Sequence, residues 1–189
     1  VGVEIERRFL VIGDGWRPHV RWQYELQQGY LTSSPGSITL RVRLSHEAGA
    51  SGATPVEGER AWLTLKAPAP AGEPQSAEGL VRQEFEYPIP PADAGSLLAL
   101  TERQLRKRRH GLDLAGGDWV VDVFEGANAP LVVAEVELER PDQPVAVPPW
   151  CCLELTGRHE LSNAALAHEP FASWPAQRRE GLLLALGSR

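Results

Sequence analysis

Charged residues recur at every second position of short, otherwise apolar runs. Glu4, Glu6 and Arg8 begin the series in residues 3–11. Side chains along a strand alternate faces, with same-face neighbours about 6.6 Å apart, so these three point one way and Ile5 and Phe9 the other. Arg41 and Arg43 alternate with Leu40, Val42 and Leu44 in 37–44, and Lys66 shares a face with Thr64 in 60–66. Arg82, Glu84 and Glu86 align in 81–87, Lys107 and Arg109 in 105–110, and Asp122 stands alone in 119–124. Glu135 and Glu137 align in 131–138, opposite Ala134, Val136 and Leu138. The seven acids Glu4, Glu6, Glu84, Glu86, Asp122, Glu135 and Glu137 thus face the seven bases Arg8, Arg41, Arg43, Lys66, Arg82, Lys107 and Arg109. Such cations suit a chain of phosphates. Carboxylates beside them suit Mg²⁺ or Mn²⁺, hard ions that take oxygen ligands and bridge to phosphate.

The strands carrying these residues need an architecture that tolerates them. Turned to open solvent, half of each strand would be unusually charged and poor in Thr, Ser and Gln. Turned into an ordinary core, each unpaired charge would cost several kcal/mol. A sheet closed into a barrel places one face of every strand inside a cavity, and the expectation is an α+β fold: an antiparallel barrel with a charged, wet interior and helices packed outside. Residues 16–28 are expected to hold a short helix before a turn at 28–31. A second helix is predicted over 91–104, with Pro91 near its start, Asp93 as a cap and Leu97, Leu98 and Leu100 packing. Further helices are expected over 163–168 and from Ser173-Trp174-Pro175 through Leu186, with Leu182, Leu183 and Leu184 on the apolar side. Residues 45–59 and 67–79, rich in Gly, Pro, Ala, Ser and Glu, read as mobile loops.

The 189 residues suffice for one domain, 1–189, with a sizeable core. No run is apolar and long enough to cross a membrane, and nothing at the start resembles a signal peptide. Cys151 and Cys152 are adjacent, cannot staple distant segments and lack zinc spacing. They read as reduced structural thiols of a cytoplasmic protein. A net charge of −6 disfavours nucleic acid as a partner, since backbone binding relies on a cationic surface. The bases are expected to serve a smaller anion, and no feature of the sequence marks an oligomeric state.

Glu4-Ile5-Glu6-Arg7-Arg8 resembles the Glu-x-Glu-x-Lys hallmark of the CYTH or triphosphate tunnel metalloenzyme superfamily. The similarity continues through Gln28-Gly29-Tyr30-Leu31, Arg41-Val42-Arg43, Leu63-Thr64-Leu65-Lys66, Arg82-Gln83-Glu84-Phe85-Glu86, Lys107-Arg108-Arg109, Val121-Asp122-Val123-Phe124 and Glu135-Val136-Glu137. It spans about residues 1–167, leaving a helical extension over about 170–189, and is nearest to the short, single-domain bacterial type that resembles inorganic triphosphatases. The resemblance implies an eight-stranded antiparallel tunnel that removes the terminal phosphate of a small-molecule triphosphate with Mg²⁺ or Mn²⁺. It implies a phosphate clamp of Arg41, Arg43, Lys66, Arg82, Lys107 and Arg109. Glu4, Glu6, Asp122, Glu135 and Glu137 are the implied metal ligands. Glu84, Glu86 and Glu154 are further candidates, the first two alternatively orienting neighbouring bases. Arg8, Lys66 and Tyr30 are the implied catalytic positions.

Arg8 departs from the family's lysine, and an arginine cannot exchange a proton as a lysine with a shifted pKa can; Tyr30 is the alternative base. Near the end, Glu154 and Asn163 match the family's pattern, whereas Arg158 replaces an acid, Glu160 a base and Leu161 a tyrosine. His159 and His168 read as surface residues. Two other functions stay open: a weakly catalytic binder of triphosphate, polyphosphate or nucleotide, and a class IV-type adenylyl cyclase.

Overall fold

The computed structural model describes residues 2–32, 38–47, 58–68 and 81–187; the side chains at 2–4, 68, 81, 82 and 185–187 lie outside that description. The runs of alternating character form nine strands: β1 (Gly2–Val11), β2 (Val20–Thr32), β3 (Thr39–Glu47), β4 (Arg60–Pro68), β5 (Val81–Ile89), β6 (Gln104–Leu112), β7 (Asp118–Phe124), β8 (Val132–Glu137) and β9 (Cys151–Glu154). All their pairings are antiparallel, in the order β5-β4-β3-β2-β6-β7-β8-β1-β9. Three helices join them: α1 (Pro91–Leu98), α2 (Asn163–His168) and α3 (Ala176–Gly187). The α+β antiparallel architecture is as expected.

β1 is the hub. It pairs with β8 through Glu6 to Leu10, with β9 through Phe9 to Val11, and with β5 through Gly2 to Ile5, which register against Glu84 to Val81. β9 is a ninth strand that the eight-stranded expectation did not contain.

The helix expected over 16–28 is instead a 3-10 turn, Arg17–His19, followed by the thirteen-residue β2. The strand prevails because Tyr24, Leu26, Gln28 and Tyr30 alternate, and β3 and β6 flank it on both edges. α1 ends at Leu98, short of 104. The Gln104 side-chain Nε2 donates to the carbonyls of Leu98 and Thr101, at 2.7 and 2.8 Å, satisfying the helix end as the chain turns into β6. Asp93 lies in the first turn, where its charge complements the helix dipole, but no side chain caps α1. The 163–168 helix is α2. α3 begins at Ala176, and the Ser173 hydroxyl donates to the Pro170 carbonyl at 2.6 Å within the preceding 3-10 turn Phe171–Ser173. In α3, Leu182 is buried, Leu183 half-buried and Leu184 exposed. The loops expected over 45–59 and 67–79 give their ends to β3 and β4, and the rest lies outside the described residues.

The helices do not all cover the outer face. α1 does, burying Ala94 and Leu98 against Val42 and Ala61. Over β1, β7 and β8 the outer Ile5, Phe9, Trp119, Val121 and Val136 are covered by loop residues Trp16 and Trp150. α2 and the chain after it pack elsewhere. Leu10, Leu105, Phe124 and Val133 share a face with Arg8, Lys107, Asp122 and Glu135. They cluster with Leu155, Leu161, Leu166, Phe171 and Trp174. One end of the inner face is therefore apolar and plugged by the C-terminal segment, because leaving those side chains in water would forfeit about 1.5–3 kcal/mol each.

Candidate active site

The charged face of the sheet carries two ion-pair networks, on two groups of strands. On β3, β4 and β5 the fully buried Thr64 is the centre. Its hydroxyl accepts from Arg41 Nη2 at 2.9 Å and donates to Glu86 Oε2 at 2.8 Å. Glu86 also takes Arg41 at 3.2 Å and Arg43 at 2.9 Å. Glu84 lies 3.6 Å from both Arg41 and Lys66. Register explains the convergence, since Arg41 stands opposite Thr64, Thr64 opposite Glu86, and Lys66 opposite Glu84. Burial and the adjacent Arg41 push the Arg43 guanidinium down to about 10. Burial would raise the Glu86 carboxyl, but Arg43 and the Thr64 hydroxyl hold it below its ordinary value.

On β1, β6, β7 and β8, Arg109 bonds Asp122 twice, at 2.8 and 2.7 Å, and Glu135 at 2.6 Å. Arg8 Nε reaches the other Glu135 oxygen at 3.1 Å. Lys107 donates to Asp122 at 2.5 Å and to Asn163 of α2 at 3.2 Å. The Lys107 and Asp122 side chains are wholly buried. Burial lowers the Lys107 ammonium to about 8 despite Asp122. Burial acts to raise the Glu135 carboxyl, yet Arg109, Lys107 and Arg8 hold it well below the carboxylate range. The Arg109 guanidinium is raised well above its ordinary value, Asp122 and Glu135 outweighing desolvation.

A cavity lies between these strands and the plug. The strands contribute Glu6, Arg8, Tyr30, Thr39, Arg41 and Lys66, and the segment after β9 contributes residues 155–159 and 162–164. Arg8 fastens that segment. Its amide donates to Thr156 Oγ1 at 3.1 Å, its carbonyl accepts from the Leu155 amide at 2.7 Å, and its Nη1 donates to the Leu161 carbonyl at 3.1 Å. Among the described residues, Arg8 Nη2, Arg41 Nε and Arg43 Nε are buried donors without a hydrogen-bond partner. Tyr30 is buried, its hydroxyl 3.3 Å from Gln28 Oε1, and burial pushes its phenol up to about 12. At neutral pH it is a donor.

The remaining candidates divide. Glu6 and Glu137 stand directly opposite in register, half-buried and exposed respectively. Glu4 and Arg82 also oppose each other along the backbone, but their side chains lie outside the described residues. Glu154 pairs with Arg7, at 2.9 and 2.8 Å, rather than joining Asp122 and Glu135. Among the described residues, no three acids, histidines or cysteines are grouped closely enough to hold a metal between them. His159 and His168 are exposed, as expected, and the Cys152 thiol donates to the Leu10 carbonyl at 3.3 Å. Thr64, Gln28 and Leu161 are positioning residues that the charge pattern alone does not mark; the alternation of Thr64 with Lys66 is the available signal for the first.

A family model described as the CYTH domain matches residues 2–163. The chain belongs to the CYTH domain family. Among its CYTH relatives, the inorganic triphosphatase of Nitrosomonas europaea is 36% identical over 170 residues, covering 87% of this chain and 96% of the relative. That of Acetivibrio thermocellus is 30% identical over 176 residues, covering 92% and 99%. A crystal structure of an inorganic triphosphatase superposes with a TM-score of 0.57 at 32% identity, over 93% of this chain and 99% of that one. A Pyrococcus horikoshii protein, 18% identical over 74% of this chain and 81% of its own, shares the CYTH fold with a TM-score of 0.51.

Proposed function

We propose that this CYTH chain hydrolyses the terminal phosphoanhydride bond of a triphosphate, inorganic triphosphate foremost, inside a single tunnel domain whose wall is the antiparallel sheet. The β1–β5 pairing supports closure of that wall, since β1 already pairs with β8 on its other edge. The observation that carries the functional reading is the set of buried donors without partners, Arg8 Nη2, Arg41 Nε and Arg43 Nε, two of them on residues that line the cavity. Unpaired buried donors cost about 1–3 kcal/mol each. A polyanion relieves that cost, and its relatives' names agree with it.

In this reading Arg41, Arg43 and Lys66 hold the phosphate chain, and Arg8 contacts it while anchoring the plug. Tyr30 donates a hydrogen bond. Arg109 and Lys107, committed to Asp122 and Glu135, orient the other network. Water attacks the terminal phosphorus in line, diphosphate leaves, and the cations stabilise charge on the transferring phosphoryl group. Glu6 and Glu137, directly opposite in register on neighbouring strands, supply carboxylates of the kind a hard divalent cation takes. Mg²⁺ in particular binds through one or two carboxylates together with substrate phosphates, so a pair of protein ligands suffices. The chemistry such an ion supplies is neutralisation of phosphate charge and acidification of water.

A phosphate-release screen of tripolyphosphate, ATP and thiamine triphosphate, each with Mg²⁺ or Mn²⁺, tests this directly. Metal-dependent release, fastest from tripolyphosphate, is expected. Cyclic nucleotide from ATP, or binding of every substrate without release, would replace the hydrolase reading.

A further inference from the structure

Resting on that reading, we propose that Arg158 is a further substrate-binding residue, which receives the free, unesterified end of a linear phosphate chain at the plugged end of the cavity. Arg158 borders the same cavity as Arg8, Arg41 and Lys66. Those three cations are paired, with Glu135, with Glu84 and Glu86, and with Glu84 respectively. Arg158 is exposed and forms no ion pair among the described residues. A cation committed to no carboxylate is the one whose charge an incoming anion meets undiminished.

Its position is built. Gly157 takes a φ of +77°, a left-handed turn that suits glycine. The Arg158 amide then donates to the Leu155 carbonyl at 3.0 Å, and its own carbonyl accepts from the Leu161 amide at 3.1 Å. Leu155 and Leu161 are buried in the plug, and both hydrogen-bond to Arg8. The turn that presents Arg158 is thereby tied to the residue whose Nη2 has no hydrogen-bond partner. Arginines from both sides, Arg8 and Arg41 on the strands and Arg158 on the plug, border the same cavity. A terminal phosphate has three non-bridging oxygens and more charge than an internal one, so a planar fork of donors gains most from a chain end.

The test compares a linear triphosphate, which has two ends, with its cyclic counterpart, which has none and carries less charge, each scored by its change between the unaltered protein and the variant. Dissociation constants for linear tripolyphosphate and for cyclic trimetaphosphate are measured calorimetrically at fixed salt and Mg²⁺, with the unaltered protein, Arg158→Ala and Arg158→Lys. Steady-state kinetics on tripolyphosphate accompany them. Arg158→Ala is expected to weaken the linear ligand at least fivefold, leave the cyclic one within twofold, and raise KM with kcat retained. Arg158→Lys should recover part of the loss. Equal weakening of both ligands would reduce Arg158 to a diffuse electrostatic contribution and overturn the proposal, as would linear affinity within twofold of the original. If the unaltered protein binds neither ligand, the triphosphate reading of the cavity itself fails, and Arg158 loses its role with it.

Discussion

Arg8 joins the two halves of the site, because separate nitrogens serve Glu135 and the Leu161 carbonyl while its backbone holds Leu155 and Thr156. A lysine would have to reach both partners from one nitrogen, without the span of the guanidinium fork. Arg8→Lys is expected to cost about 1–2 kcal/mol of stability and to slow turnover several-fold, read as a lower melting temperature and kcat. A tenfold faster variant, about 1.4 kcal/mol off the barrier, would instead mean that position 8 limits proton transfer. Tyr30 is another position assigned a chemical role by resemblance, and its phenol ionises too high to act as a base near neutrality. Tyr30→Phe should reduce kcat less than tenfold and leave its pH profile intact below pH 9; loss of a thousandfold would reinstate the base. The same phenol works against stability in alkali. The unfolded chain releases this proton near pH 10 and the native one near 12, so between those values unfolding is increasingly favoured, by up to roughly 2–3 kcal/mol. Tyr30→Phe should flatten that part of the decline in denaturant midpoints.

Turns decide where the strands deliver their charges. Gly117, just before β7, has a φ of +148°, and a Cβ there would lie 2.5 Å from the Glu137 carbonyl oxygen and 2.6 Å from Val136 Cγ2. Gly117→Ala is expected to cost about 2 kcal/mol or more and, by displacing the backbone of Glu137, to raise the metal concentration needed for half-maximal rate. A destabilised variant with unchanged metal demand would separate Glu137 from the metal. Strands bearing the charges were legible because a period of two imposed on charged residues suits an extended chain with one face turned inward and suits little else. β2 carried the same period, Val20, Trp22, Tyr24 and Leu26 alternating with Arg21, Gln23, Glu25 and Gln27. Without charges on its apolar side it did not join the charged series, and the pairing with β3 and β6 shows it as a strand. β9 has four residues and exists through its pairing with β1. The plug was hidden by a different cause: Leu10, Leu105, Phe124 and Val133 interrupt the charged face only at one end, which becomes visible once register aligns them. Lys107, placed in the phosphate clamp by the family resemblance, is wholly buried against Asp122 and Asn163, a commitment that depends on α2.

Across the whole molecule the carboxylates and guanidinium groups occupy one another, so a metal ion and a polyphosphate each release groups that the other can use. Binding of the two is expected to be mutually favourable and, as linkage requires, by the same factor in either direction. Tripolyphosphate should bind at least tenfold more weakly in EDTA than in saturating Mg²⁺, and equal affinities would dismiss the coupling. β1 carries a consequence of another kind. Arg8 finds Glu135 across 127 positions of chain and Thr156 across 148. Contacts so remote incur their loop-closure entropy before they return any stabilisation. Until β1 docks, β5 and β8 each present an edge, the kind of surface on which chains aggregate. During refolding, secondary structure seen by circular dichroism should therefore recover before phosphate release does, and dilute protein should refold in better yield than concentrated protein, since the strand that completes the site is also the one that covers both edges.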